Sequence, residues 1–76
     1  MDFVKLFEDF HIKYTTRVNR GWVNVDCPYC TSEHPMHLGF NPVEDYCTCW
    51  NCGGHNLKQT LSILLSVSRK ELNEIL

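Results

Sequence analysis

The sequence has no stretch of twenty apolar residues, no internal repeat and no Gly/Ser-rich linker. A helix that crosses a bilayer needs about 20 consecutive apolar residues, so we expect no membrane-spanning segment. The opening residues Met1-Asp2-Phe3 place an acid where a secretory signal carries basic residues. These absences predict a cytoplasmic protein in a reducing compartment, where disulfides are rare.

With 76 residues, the chain is long enough for one domain. A domain of this size buries only roughly 60–65% of the surface of its extended chain, so a hydrophobic core alone leaves it marginally stable. Such domains usually need a disulfide or a metal. No paired nucleophile and base stands out, and we expect the chain to have no catalytic activity of its own.

Apolar periodicity and turn signals predict a small α+β fold that forms a single domain over residues 1–76. The N-terminal helix carries an apolar stripe, and Asn56 and Ser68 are suited to cap two C-terminal helices. Between them we expect three or four short antiparallel strands. The predicted elements are a helix over 2–10, a hairpin over 12–26, metal-binding knuckles and strands over 27–54, and helices over 57–66 and 69–76.

Two C-x-x-C pairs dominate the middle of the chain, Cys27-Pro28-Tyr29-Cys30 and Cys49-Trp50-Asn51-Cys52-Gly53. The 18 residues between them, 31 to 48, are within the spacing of four-cysteine zinc sites. Two residues between cysteines allow a tight turn that directs both sulfurs to one metal, and Gly53 suits the positive φ of such a knuckle. We therefore predict one structural Zn²⁺ held by Cys27, Cys30, Cys49 and Cys52.

Other interpretations of the cysteines remain open. A disulfide framework would leave the fifth thiol unpaired, and a redox C-x-x-C motif normally occurs singly. Iron in a rubredoxin-like site uses the same four thiolates. Cys47 is expected to be packed and unligated, while three histidines are rival ligands: His34, His37 and His55.

Strand alternation predicts a mostly apolar face and an opposite polar face that carries large aromatic side chains. The apolar face comprises Val23, Val25, Leu38, Phe40 and Cys47, and the opposite face Trp22, Asn24, His37, Asn41, Tyr46 and Thr48. Aromatic rings among short polar groups are typical of single-strand binding platforms. The alternative is an ordinary solvated face whose aromatics form cross-strand pairs.

From Cys27 to Asn56 the sequence resembles the zinc-binding domain at the N-terminus of bacterial and phage DNA primases. The resemblance lies in C-P-Y-C, Glu33, Pro35, Pro42, Tyr46, C-W-N-C-G and His55, and it extends to the flanking helix, hairpin and leucine-rich helices. Cys30 replaces the family's usual His, as in the four-cysteine form. The family's [ST]-P-S-F segment is here His34-Pro35-Met36-His37.

The resemblance implies a zinc ribbon that recognises a single-stranded DNA template and assists primer synthesis in a bacterial cell or phage-infected host. Nucleotidyl transfer would then be performed by a primase catalytic domain, because no catalytic carboxylate domain is present. We expect this catalytic domain, or a helicase, to be a partner in cis or in trans. We expect the nucleic-acid contacts to come from Arg20, Trp22, His37, Tyr46, Thr48 and Trp50.

The negative net charge predicts that the isolated domain binds nucleic acid weakly. The formal net charge is −2, and binding of Zn²⁺ by four thiolates lowers it to about −4. A second hypothesis is therefore a protein-interaction module that docks a polymerase or helicase through its C-terminal helices. Its predicted marker is an exposed apolar patch that Leu72→Asp would remove.

Overall fold

In the computed structural model, which describes residues 1–30 and 35–76, the sheet lies in the middle of the chain and helices flank it in sequence. The described elements are α1 (Phe3–Asp9), β1 (Val23–Val25), β2 (Leu38–Asn41), β3 (Tyr46–Cys49), β4 (Gly53–His55), α2 (Leu57–Leu65) and α3 (Arg69–Ile75). This confirms the small α+β fold class.

Each helix begins at a side chain that accepts a hydrogen bond from a backbone N–H of its first turn. The Asp2 carboxylate accepts from Lys5 at 3.0 Å, and the Asn56 amide oxygen accepts from Gln59 at 2.9 Å. At Ser68 the predicted capping box is present in both directions, with Glu71 as its partner. Caps of this kind satisfy N–H groups that the helix itself leaves unpaired.

The four described strands form one antiparallel sheet in the order β1-β2-β3-β4. Cys47 pairs with both Phe40 and His55, so β3 lies in the interior of the sheet. Strand β4 is an addition to the sequence prediction, which placed Gly53 and Gly54 in the region of knuckles and strands over 27–54 but assigned no strand to them. Its two glycines gave no β signal, since Gly is depleted in strands.

The core lies between the helices and one face of the sheet. The Phe40 ring lies 5.0 Å from Phe3 and 5.2 Å from Phe7, centroid to centroid, which docks α1 on the sheet. All five residues of the predicted apolar face are buried, as are Leu61 and Leu65 of α2. The alternation pattern therefore identified the core face correctly.

The predicted hairpin over 12–26 is wrong in its first arm, which is reduced to a single bridge. Thr15 and Asn24 exchange two backbone hydrogen bonds of 2.9 and 2.8 Å. In a longer antiparallel ladder Trp22 would pair with Arg17 next. Instead the Trp22 N–H donates to Asn19 at 3.0 Å, closing a turn in which Gly21 has φ +81°.

The C-terminal segment from α3 onward buries only part of its apolar surface. Leu72 is completely buried, whereas Ile75 and Leu76 are exposed. Across the described ranges, no helix has the length and apolar character needed to cross a bilayer.

Candidate metal centre and aromatic face

The four cysteines of the two C-x-x-C pairs come together at one end of the sheet. Cys49 is the last residue of β3 and Cys52 immediately precedes β4, while Cys27 and Cys30 lie in the segment that follows β1. Their sulfur atoms all lie within 4.8 Å of one another. Sheet pairing thus brings together two knuckles that are far apart in sequence.

The sulfur spacing fits a tetrahedral metal ion. Zn–S bonds of about 2.3 Å place the sulfurs of a tetrahedral shell roughly 3.8 Å apart. The Cys27 and Cys52 sulfurs are 3.5 Å apart, and those of Cys30 and Cys49 are 3.9 Å apart. This donor set could hold a metal ion, and four thiolates would leave no open coordination position for catalysis.

The second knuckle has the local geometry that thiolate ligands require. The Asn51 N–H donates to the Cys49 sulfur at 3.4 Å, which stabilises negative charge on that atom. Gly53 adopts φ +93°, as the sequence predicted for this position. An L-residue with a side chain would be strained there.

Without a cation, crowding of the sulfurs disfavours the charged thiolates. Desolvation and the neighbouring sulfurs of Cys27 and Cys49 raise the pKa of Cys52 to about 12. The pKa of Cys27 is also raised, mainly by burial. Both thiols are therefore protonated at neutral pH until a metal displaces the protons.

The fifth cysteine lies apart from this group. Cys47 is buried in the core, and its S–H contacts the His55 carbonyl at 3.6 Å. Burial also raises the pKa of this thiol. Cys47 therefore packs as expected for a free cysteine, which behaves as a small hydrophobic residue.

The three rival histidines have different positions. His34 lies outside the described residues. His37 is half-buried, and its carbonyl accepts a hydrogen bond of 3.1 Å from the Trp50 N–H. The His55 Nε2 atom lies 3.0 Å from the Cys52 sulfur, a contact that sequence spacing alone did not reveal.

Three aromatic side chains gather on the sheet face that points away from the core. The Trp22 ring meets Tyr46 edge-on at 5.4 Å and lies 6.2 Å from Trp50 at a 32° tilt. Trp50 is 52% exposed and Tyr46 41% exposed, while Trp22 is half-buried. We call these three residues the aromatic cluster.

Gly39 makes the cluster possible. A Cβ atom at Gly39 would lie 2.9 Å from Cε3 of Trp22, closer than carbon atoms approach without displacement. The indole therefore lies directly on the bare backbone of β2, next to the Asn24 amide. The contact between Trp22 and Tyr46 is also the kind of aromatic pair expected of an ordinary solvated sheet face.

The remaining predicted nucleic-acid residues differ in exposure. Arg20 is exposed in the turn before Trp22, and His37 and Thr48 are half-buried. Two other polar residues of this face are engaged in the fold. Asn24 is completely buried and donates to the Met36 carbonyl at 3.0 Å, while the Asn41 side chain accepts two N–H groups of the β2–β3 turn.

The close approach at Gly39 predicts a selective effect of Gly39→Ala. The added methyl group should lift the Trp22 indole from the sheet, at a cost of roughly 1–3 kcal/mol for overpacking. The indole N–H resonances should shift in an NMR spectrum while the bound metal is retained. Unchanged indole resonances would contradict the contact; Gly54→Ala, where a Cβ meets open space, is the matched control.

Comparison with protein-family models, with curated protein sequences and with solved structures gave no match. The likeness to primase zinc domains therefore depends on the motifs quoted above.

Proposed function

We propose that this chain is a zinc-binding nucleic-acid module, the template-recognition domain of a DNA primase. In this proposal Cys27, Cys30, Cys49 and Cys52 hold one Zn²⁺, which stabilises the sheet. The aromatic cluster then binds single-stranded DNA and assists primer synthesis. Nucleotidyl transfer belongs to a catalytic domain or partner chain.

The observation that carries the proposal is the position of the aromatic cluster. Three large rings lie together on the sheet face that points away from the core, and Trp50 and Tyr46 are exposed there. Bases of a single strand stack on rings of this kind irrespective of sequence. Thr48, half-buried, lies on the same face of the sheet as Tyr46 by strand alternation.

Local charge supports contact with phosphate despite the negative net charge. Lys13, Arg17 and Arg20 precede the cluster in sequence and are exposed. Among the described residues these three side chains form no ion pair, so their charges are not neutralised within the fold. Acidic Glu44 and Asp45 adjoin Tyr46, and we expect binding that is weak and strongly salt-dependent.

The test is an NMR titration of the zinc-loaded chain with short random single-stranded DNA at low ionic strength. Both tryptophans of the sequence belong to the aromatic cluster, so their indole N–H signals report directly on this surface. We expect the largest shifts at the indoles and at Tyr46 and Thr48. Indole fluorescence should be quenched in the same titration.

Two controls give the titration a clear negative outcome. Ile63→Ala alters an exposed side chain of α2, away from the cluster, and should leave the shifts unchanged. A duplex of the same sequence should bind less well, because its bases are already stacked on each other. Absence of shifts at millimolar oligonucleotide, with zinc bound, would refute the nucleic-acid proposal while leaving the metal centre intact.

A second candidate function, protein docking through the helices, is favoured by a separate surface. A shallow groove of about 280 Å³ lies between α1 and α3, lined by Leu6, Ile75 and Leu76 among others. Ile75 is 40% exposed and Leu76 48% exposed. Leu72 is instead fully buried, so Leu72→Asp would unfold the chain; Ile75→Asp is the informative variant for this surface.

A further inference from the structure

A histidine side chain contacts the most exposed sulfur of the metal centre. Among the four cysteines of the two pairs, Cys52 alone is exposed, whereas Cys49 is buried and the other two are half-buried. The His55 Nε2 atom lies 3.0 Å from the Cys52 sulfur. This contact covers the thiolate that solvent reaches most easily.

The imidazole is held in place by the first knuckle. The rings of His55 and Tyr29 are stacked at 3.8 Å between centroids with an interplanar angle of 16°. Tyr29 lies between Cys27 and Cys30 in the chain, so a residue of one knuckle orients the side chain that contacts the other. The stack favours the ring orientation in which Nε2 lies at the sulfur.

Tyr29 is in turn fixed by helix α2, through a hydrogen bond whose direction can be assigned. The Thr60 hydroxyl donates its single proton to the Asn56 carbonyl at 2.7 Å. It must therefore accept from the Tyr29 O–H, 2.8 Å away. Because Thr60 is completely buried, this chain of contacts connects both knuckles to the core.

We propose that His55 is a positioning residue of the metal centre, an outer-shell donor whose Nε2–H binds the Cys52 thiolate rather than the metal. The inference depends on the metal-binding half of the proposed function. A charge-assisted hydrogen bond disperses negative charge on the sulfur. It thereby slows both loss of the metal and attack of electrophiles on Cys52. Outer-shell donors commonly contribute 10- to 100-fold to metal affinity.

The test compares His55→Phe with the unaltered chain, both loaded with Zn²⁺. Phenylalanine preserves a ring that can stack on Tyr29 but removes the donor. We expect one bound zinc per chain, release to excess chelator that is about 10- to 100-fold faster, and faster alkylation of Cys52 by iodoacetamide. Peptide mass spectrometry should locate the acceleration at Cys52, whereas general loosening of the fold would expose all four cysteines.

Two further variants separate the hydrogen bond from packing. Tyr29→Phe removes the bond to Thr60 but leaves the stack, and should change release less than His55→Phe does. His55→Gln offers an amide N–H near the same place and should partly restore slow release, even if His55→Phe folds poorly.

Replacement of zinc by Co²⁺ supplies a readout of the ligand set. The absorption spectrum of the cobalt form should indicate four sulfur ligands in both the unaltered chain and His55→Phe. A sulfur–nitrogen spectrum that His55→Phe abolishes would overturn the inference, since His55 would then be a ligand. Equal release and alkylation rates would overturn it as well. A chain that binds no metal would instead refute the metal half of the proposed function before any variant is made.

Discussion

Chelation of the metal is expected to unfold the whole domain, with loss of about 10 kcal/mol of apparent folding free energy. The helices contain only 7, 9 and 7 residues, and the strands only 3 or 4. Isolated helices shorter than about 12 residues are marginal in water. Cys49 also belongs to the hydrophobic core, so the metal centre and the core are one structural unit.

Circular dichroism during titration with a strong chelator measures this effect. Cooperative loss of helical signal, reversed by added Zn²⁺, is the expected result. A chain that keeps its spectrum and its dispersed NMR signals without metal would show that the core suffices. A reducing agent is included throughout, so that oxidation of the free thiols does not imitate metal loss.

Substitution of single cysteines tests the same dependence of the fold on metal, one residue at a time. Serine at Cys27, Cys30, Cys49 or Cys52 should abolish stoichiometric zinc binding and destabilise the fold. Cys47→Ser is the matched control, because its sulfur lies in the core and outside the four-sulfur group. It should still bind one zinc; loss of the metal in this variant would mean that the ligand assignment is wrong.

Acid should weaken zinc binding and destabilise the domain, as the chelator does. The pKa of Cys52 in the metal-free fold is about 12, and that of Cys27 is also raised, so metal binding must release protons that these thiols hold at neutral pH. Zinc affinity and the stability of the loaded domain therefore fall as pH falls.

Trp22→Ala should weaken single-stranded DNA binding by about 5- to 150-fold, which corresponds to roughly 1–3 kcal/mol for one base–ring stack. We expect a larger effect at this position than at its neighbours, because the Trp22 indole contacts both Tyr46 and Trp50. Its removal would leave the other two rings without their shared support.

The measurement is fluorescence anisotropy of a labelled oligonucleotide titrated with each zinc-loaded variant. Tyr46→Ala and Trp50→Ala should each weaken binding, and Ile63→Ala should not. Zinc content, measured in parallel, must stay at one ion per chain in every variant. Unchanged affinity in both Trp22→Ala and Tyr46→Ala would exclude this face as the binding surface.

Local features of the sequence were sufficient to predict the helices and the core face of the sheet. The caps at Asn56 and Ser68 depend on residues three positions apart, and the burial of Val23 and Val25 follows from simple alternation along one strand. The grouping of the four cysteine sulfurs was likewise predictable, because C-x-x-C spacing restricts how each pair can turn. Whether a metal occupies that group is the subject of the experiments above.

Tertiary structure decided what lies against each local element. Asn24 alternates like a solvent-facing residue but is buried beside Trp22, because Gly39 leaves room for the indole. The first arm of the predicted hairpin pairs only at Thr15, because the Trp22 N–H donates to Asn19 instead of continuing the ladder. The contact between His55 and Cys52 depends on Tyr29, which reaches it from the other knuckle. Spacing along one segment contains no information about such neighbours, since they are set by the packing of segments distant in sequence.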